Sequence, residues 1–275
     1  MHTLAAPHTT APLSDREFLQ FQAFIHEQAG ITLSLNKKAL VSGRLEKRLR
    51  DRRLGNYTEY LDLLRSGQDS AETQLAVDLL TTNETYFFRE PRHFELLREM
   101  ALAARKEGRP LRVWSAACSS GEEPYSIAMV LADCQGDLGW EVLASDISNR
   151  MLTRARTGHY PEARTDGIPA GYLQRYCLRG TGPHEGTLLV NRSLRERVRF
   201  TQINLDRPLP RLGPFDLVFL RNVMIYFSAE TKRSVVARLV QTLKPGGQLF
   251  IGHSESLTDM NPELRALAPS VYRRQ

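Results

Sequence analysis

The chain has 275 residues, 41% of them hydrophobic, and a formal net charge of +6. This is the composition of a globular protein with a buried core, and the positive balance favours an acidic partner: nucleic acid, anionic lipid or an acidic protein. No apolar run approaches the ~18 residues of a membrane span, the opening "MHTLAAPHTTAPLS" lacks the basic and apolar regions of a secretory signal, and three cysteines without a CxxC spacing argue against a disulfide framework or a zinc site and for a reducing cytoplasm.

Residues 1–13 read as a disordered lead. "SDRE", Ser14 to Glu17, has the spacing of a capping box, in which hydroxyl and carboxylate satisfy each other's backbone amides. Phe18, Phe21, Phe24 and Ile25 follow at helical spacing until Gly30. Asn36 is expected to cap a second helix, with Leu40, Val41, Leu45 and Leu49 on one side and Gly55 at its end. Shorter helices at Tyr57–Ser66 and Ser70–Leu80 complete a helical N-terminal domain, 14–80. "TTNETYFFRE", 81–90, is a polar and aromatic connector without helical period. Pro91 then starts a helix that Gly108 stops.

Across 91–275 the rhythm changes. "LRVWSA", "EVLASD", "DLVFLRN" and "GQLFIG" are short apolar runs, three of them separated from the next by helical or mixed stretches. This pattern predicts an α/β domain whose parallel strands are covered by helices on both faces. Pro124–Cys134, Ser148–Thr157 and Ser228–Leu243 are the expected crossover helices. "KPGG", 244–247, ends the last of them, and "SVYRR" is expected as an antiparallel edge strand. The stretch 163–199 is too long for a plain connection and predicts a helix with a small antiparallel β lobe.

Ligands of such sheets bind beyond the carboxyl ends of the strands, and two of those ends are acidic. "VWSAACSSGEEPYS", 113–126, is a strand, a small-residue turn and a helix start, yet it has neither GxGxxG nor GK[ST]. Glu122 and Glu123 at a helix start would repel a phosphate. Asp146, ending the second strand, stands where a ribose hydroxyl pair is held in nucleoside-binding folds. A ligand with a nucleoside at one end and positive charge at the other suits both, and S-adenosylmethionine is such a ligand. Of the two glutamates, Glu122 is assigned to the cofactor and Glu123 to the helix start.

Other motifs carry less. "GTGPHEG", 180–186, reads as a hairpin loop, and "GHSES", 252–256, lacks the last glycine of a hydrolase elbow. Cys118 reads as a small buried turn residue, and the histidines show no metal-ligand spacing. The helix from Lys37 to Arg53 is dominated by positive charge, including Arg44, Lys47 and Arg48. It suggests docking onto an acidic surface, without the aromatic interleaving of a single-strand nucleic-acid platform.

Together "TNETYFFRE", "VWSAACSSGEEPYSIAM", "ASDIS", "QRYCLRGTGPHEG", "FLRNVMIYF", "LKPGGQLFIGHSES" and "VYRR" resemble the chemotaxis-receptor glutamate methyltransferases, CheR. The resemblance implies a Rossmann-like class I methyltransferase domain behind the helical domain. It implies methyl transfer from S-adenosylmethionine to glutamate side chains of a chemoreceptor's cytoplasmic helices, by a cytoplasmic monomer that neither binds nucleic acid nor inserts in a membrane. Carried onto matching positions, Asn83, Thr85 and Arg89 contact the cofactor, Glu122 its amino-acid end and Asp146 its ribose. Asn204 and Leu205 flank the adenine, Arg221 and Asn222 line the cofactor cleft, and Tyr226 reaches the methyl group with Arg89. The "RGTGPHEG" run resembles members whose β lobe grips a receptor's C-terminal tether peptide. A nucleic-acid methyltransferase and a non-catalytic S-adenosylmethionine-binding module are the alternative readings.

Overall fold

The computed structural model describes residues 11–258 and 260–275, so the first ten positions of the expected lead lie outside the described residues. The chain packs as two units, one reaching Thr82 and the other running Asn83–Gln275.

The first unit holds helices α1 (Asp15–Ala29), α2 (Lys38–Arg52), α3 (Tyr57–Arg65) and α4 (Ser70–Leu80). The capping box at Ser14 and Glu17 forms as expected. Positions 11 and 13 are tied to the unit, although residues 11 and 12 are exposed. Leu13 is buried, five residues before buried Phe18 at the spacing of a hydrophobic staple, and the Ala11 amide donates to the Gly55 carbonyl at 3.2 Å. Asn36 does not cap α2. Its Oδ1 accepts from the Ser34 hydroxyl at 2.6 Å within a 3-10 turn, Leu35–Lys37, so that oxygen is not offered to the helix. The helix ends at Arg52, ahead of Gly55, because Arg53 takes the left-handed conformation at φ 56°.

Glu72 lies inside this unit, 2% exposed. It accepts from Arg48 at 2.9 and 2.6 Å, from Arg52 at 2.8 Å and from the Tyr60 hydroxyl at 2.7 Å. Burial alone would raise its pKa. The donors, Arg48 first, outweigh burial and hold it at about 2. Removing one partner of such a cluster strands the rest. Glu72→Ala is therefore expected to cost about 3–5 kcal/mol in urea denaturation. In the wild type a depressed pKa stabilises fully above the unfolded value near 4.5 and loses that stabilisation as pH falls toward about 2.

The second unit contains α5 (Pro91–Lys106), β1 (Arg112–Ser115), α6 (Glu122–Gln135), β2 (Glu141–Asp146), α7 (Asn149–Thr157), β3 (His159–Pro161), α8 (Ala170–Tyr176), β4 (Cys177–Arg179), β5 (Thr187–Val190), α9 (Arg192–Arg195), β6 (Val198–Gln202), β7 (Phe215–Leu220), α10 (Ala229–Val240), β8 (Leu243–Ile251), β9 (Leu264–Ala268) and β10 (Val271–Arg274). The main sheet has the order β6-β2-β1-β7-β8-β10-β9. Strands β6 through β8 are parallel, and β10 is antiparallel to both β8 and β9. Chain order reverses between β1 and β7, which makes their carboxyl ends the switch point where such sheets bind ligands. All six residues of β7 are buried, as a central strand covered on both faces requires.

Several boundaries differ from the sequence expectation. The expected edge strand β10 is flanked by a further strand, β9, whose Leu and Ala residues are mostly exposed and are not the β-branched and aromatic types that signal a strand. At the other edge, β6 mixes Arg199, Thr201 and Gln202 with apolar residues, which hides it in the pattern. The lobe sheet, order β3-β5-β4, begins at His159 rather than within 163–199, and Val198 and Arg199 belong to β6 of the main sheet. Helix α6 starts two residues before Pro124, at Glu122. "KPGG" lies within β8 and shifts its register against β7, so α10 ends at Val240 rather than Leu243. "GTGPHEG" is a hairpin loop between β4 and β5, with a 3-10 turn at Gly182–His184.

Candidate functional site

The loop from Ala116 to Gly121 joins β1 to α6 at the switch point. It is tied to its neighbours by backbone: the Ala116 amide donates to Phe219 at 2.9 Å and the Cys118 amide to Ser145 at 2.8 Å. Gly121 has φ +99°, and a Cβ there would stand 2.8 Å from the Tyr160 hydroxyl and 2.9 Å from Ala155 Cβ. Glycine is required by the conformation and by the close approach. Cys118 is buried in the turn, as its small size suggested.

Asp146 ends β2 beside this loop. Its Oδ2 accepts from the Ser119 amide at 2.8 Å and its Oδ1 from the Ser148 amide at 2.9 Å. Two backbone donors fix the carboxylate at the end of the strand. Ser119 Oγ donates to the Asn83 carbonyl at 3.0 Å, which ties the connector to the same loop. Asn204 and Leu205 follow β6, where the Ile203 amide donates to the Asp146 carbonyl at 3.1 Å.

Glu122 is 0% exposed. Ser120 Oγ donates to its Oε2 at 2.7 Å. Arg164 Nη2 lies 2.8 Å from Oε1, but no aligned hydrogen bond reaches that oxygen. Burial raises the Glu122 pKa, against the lowering influence of Ser120 and Arg164. A buried acceptor short of a donor, near the acidic end of β2, fits the ammonium of a cationic nucleoside such as S-adenosylmethionine. The site passes that chemical test, whereas a phosphate would meet two carboxylates at the start of α6.

Glu123 does more than serve the helix start. Its Oε1 accepts from Ser115 Oγ at 2.7 Å and its Oε2 from Arg221 Nη1 at 2.9 Å. The Arg221 side chain is 1% exposed, with its second carboxylate partner, Glu90, at 3.2 Å. It also donates to the Arg89 carbonyl. Burial and the Arg221 charge act oppositely on both glutamates: burial prevails at Glu123 and raises it, while at Glu90 burial is outweighed by Arg221 together with His253 and Asn222, which lower it. Arg221 therefore acts on the cleft by holding the backbone at Arg89 and Glu90. That backbone is unusual, since Phe88 and Glu90 both have positive φ, 54° and 59°.

The Arg89 side chain is half-buried. It donates to the Glu84 carbonyl at 3.1 Å and lies over the Tyr86 ring, so its charge has no carboxylate partner among the described residues. The Thr85 carbonyl accepts from Arg164 at 2.9 Å. Tyr226 is half-buried in a 3-10 turn, Met224–Tyr226, that follows β7.

Glu255, in the stretch that resembled a hydrolase elbow, holds that turn. It accepts from the Asn222 amide at 3.0 Å, the Gly252 amide at 2.7 Å and the Ile225 amide at 3.3 Å. One carboxylate thus ties the loop after β7 to the loop after β8. Glu255→Ala is expected to lower kcat about 10²-fold, the cost of a small misplacement of reacting groups, while the Kd for S-adenosylmethionine measured calorimetrically stays unchanged.

The structure thus gathers Asn83, Glu122 and Asp146 around Ser119 and Ser120, and Arg89, Arg221 and Asn222 around Glu90. Arg44, Lys47 and Arg48 belong to the helical unit. Arg44 donates to the Leu79 and Thr81 carbonyls at 3.0 and 2.8 Å, Arg48 is bound to Glu72, and Lys47 is exposed. A hollow of about 380 Å³ lined by Arg109, Asp216 and Lys244 opens at the amino ends of β1 and β7, away from the switch point, with Arg109 and Lys244 both paired to Asp216.

Residues 83–272 match the family described as CheR methyltransferase, SAM binding domain, and residues 16–81 match CheR methyltransferase, all-alpha domain. The chain is 44% identical to a chemotaxis protein methyltransferase of Escherichia coli K12, covering 94% of this chain and 91% of that one. It is 43% identical to chemotaxis protein methyltransferase 2 of Pseudomonas aeruginosa, covering 93% and 92%.

Proposed function

The chain belongs to the CheR methyltransferase family and carries its S-adenosylmethionine-binding domain, and from that premise we propose that it methylates glutamate carboxylates on a chemoreceptor's cytoplasmic helices, giving methyl esters. The observation that carries the cofactor part of this reading is the pair Glu122 and Asp146 on either side of a loop without phosphate-binding features.

S-adenosylmethionine, when bound, supplies an electrophilic methyl group on a sulfonium centre. Glu122 would hold its ammonium end and Asp146 its ribose hydroxyls, with Asn204 and Leu205 beside the adenine and Asn83 and Thr85 along the connector. A substrate glutamate, with pKa about 4.3, is ionised near neutral pH. No side chain has to remove a proton. The residues orient reactants instead, a contribution of up to about 7–11 kcal/mol when the alignment is good. Arg89, with no internal carboxylate to neutralise it, orients the incoming carboxylate, and the Tyr226 hydroxyl positions the oxygen that attacks. Arg221 and Asn222 keep Arg89 in place through Glu90. Of the three basic residues Arg44, Lys47 and Arg48, the exposed Lys47 supplies positive charge for an acidic receptor surface, since Arg44 and Arg48 are engaged within the helical unit. The three-stranded lobe offers its edges to a receptor tether peptide by strand addition.

Incubation with tritiated-methyl S-adenosylmethionine and receptor cytoplasmic fragments is expected to give label that mild alkali releases. Alkali-stable label, or label on nucleic acid and none on receptor, would refute the ester reading.

A further inference from the structure

Glu90, His93 and His253 meet beside the Arg221 network. His93 Nδ1 lies 3.4 Å from Glu90 Oε2, and His253 Nε2 lies 3.8 Å from the same oxygen. One donor atom from each residue lies within 4.8 Å of the others. His93 is 1% exposed, and neither of its ring nitrogens has a hydrogen-bond partner. Leaving buried polar atoms unsatisfied costs about 1–3 kcal/mol, so this imidazole lacks the partner that its position demands. His253 is exposed and opens the cluster to solvent.

Zinc binds such donors at about 2.0–2.2 Å in a tetrahedron, which places neighbouring donors roughly 3.3–3.5 Å apart. Two of the separations here are already near that value. Two imidazoles, one carboxylate and an open fourth position form a donor set suited to Zn²⁺. We propose that Glu90, His93 and His253 bind a zinc ion and that its binding slows the enzyme.

Inhibition follows from what Glu90 otherwise does. It accepts from Asn222 Nδ2 at 3.2 Å and the His253 amide at 3.3 Å, and it pairs with Arg221. The Arg221 charge opposes a cation on Glu90, but Glu123 stays at 2.9 Å to balance it. An ion on Glu90 draws that carboxylate from Arg221 and Asn222 and loosens the backbone beside Arg89. The site is therefore regulatory rather than structural. The inhibitory part rests on the methyltransferase reading, whereas the binding part does not.

The experiment titrates tag-free full-length protein with zinc chloride by calorimetry and with cobalt(II) chloride by visible absorption. One equivalent is expected, with tetrahedral cobalt bands. His253→Ala and His93→Phe should each weaken binding by more than the ~10-fold typical of losing an outer-shell partner. Phenylalanine preserves the stack that His93 makes on Phe250 at 5.1 Å. If His93→Phe does not fold by circular dichroism, the exposed His253→Ala decides alone. Zinc should slow methyl transfer by the wild type more than by either folded variant, each compared with its own metal-free rate. Absence of a bound equivalent, or equal binding by wild type and folded variants, overturns the site. Zinc binding that leaves the rate unaltered overturns the inhibition. Site-specific binding by a protein that transfers no methyl without metal supports the site and overturns the methyltransferase reading instead.

Discussion

Arg89→Ala is expected to lower kcat for methyl transfer about 10²–10³-fold, the loss typical when one preorganised donor is removed from a reacting centre. The fold should survive. Among the described residues the Arg89 side chain bonds the Glu84 carbonyl and lies over the Tyr86 ring, both in its own connector, while the Arg89 carbonyl that Arg221 grips remains. Circular dichroism and urea denaturation should therefore match the wild type, and the effect on the Kd for S-adenosylmethionine should be smaller than that on kcat. Arg89→Lys should recover part of the rate, because it keeps the charge and loses the planar fork. An unchanged kcat in Arg89→Ala would remove Arg89 from the chemistry.

Glu122→Gln is expected to weaken S-adenosylmethionine binding roughly 10- to 100-fold, corresponding to about 1.5–3 kcal/mol for a hydrogen bond to a charged group. The substitution is nearly isosteric and leaves an acceptor for Ser120. The pH dependence is a second signature. Burial raises the Glu122 pKa above its ordinary value, so the free protein holds its proton to higher pH. A cationic ligand prefers the ionised form, and affinity should rise with pH through that raised pKa and then level. In Glu122→Gln this rise should vanish. The stability sign is the reverse of the Glu72 case. A carboxyl with a raised folded pKa favours the fold at low pH and loses that contribution as pH rises, so glutamine at 122 should not lower the midpoint of urea unfolding at neutral pH. Calorimetric titration across pH checks both statements, and an unchanged Kd would assign the ammonium to another group.

Local signals served well where the physics is local. The Ser14 capping box and the buried parallel strand β7 depend on residues within a few positions, and the expected features match. The acidic ends of the first two strands were also legible, because a doubly wound sheet brings the carboxyl ends of its parallel strands to one edge. Asn36 shows the limit at short range: the Ser34 hydroxyl and a helix amide competed for one oxygen, and spacing could not rank them. Strand β6 was missed because its polar residues break the apolar pattern, and β9 because its Leu and Ala residues lack the β-branched and aromatic signal of a strand.

By itself, the amino-acid sequence determined the class of fold, the order of its elements and the kind of ligand, since helix starts, strand burial and the absence of a phosphate loop are written in neighbouring residues. Only the tertiary structure decided what each charged residue does. Glu123 meets Arg221 across 98 positions and Glu90 meets it across 131. Glu255 became a clamp on the turn of Tyr226, and Arg48 turned inward onto Glu72. The physical reason is that a buried charge must find its partner wherever the folded chain brings one. At the start of α6, where two glutamates are adjacent, that requirement separated Glu122, whose Oε1 is left without an aligned donor, from Glu123, which anchors Arg221.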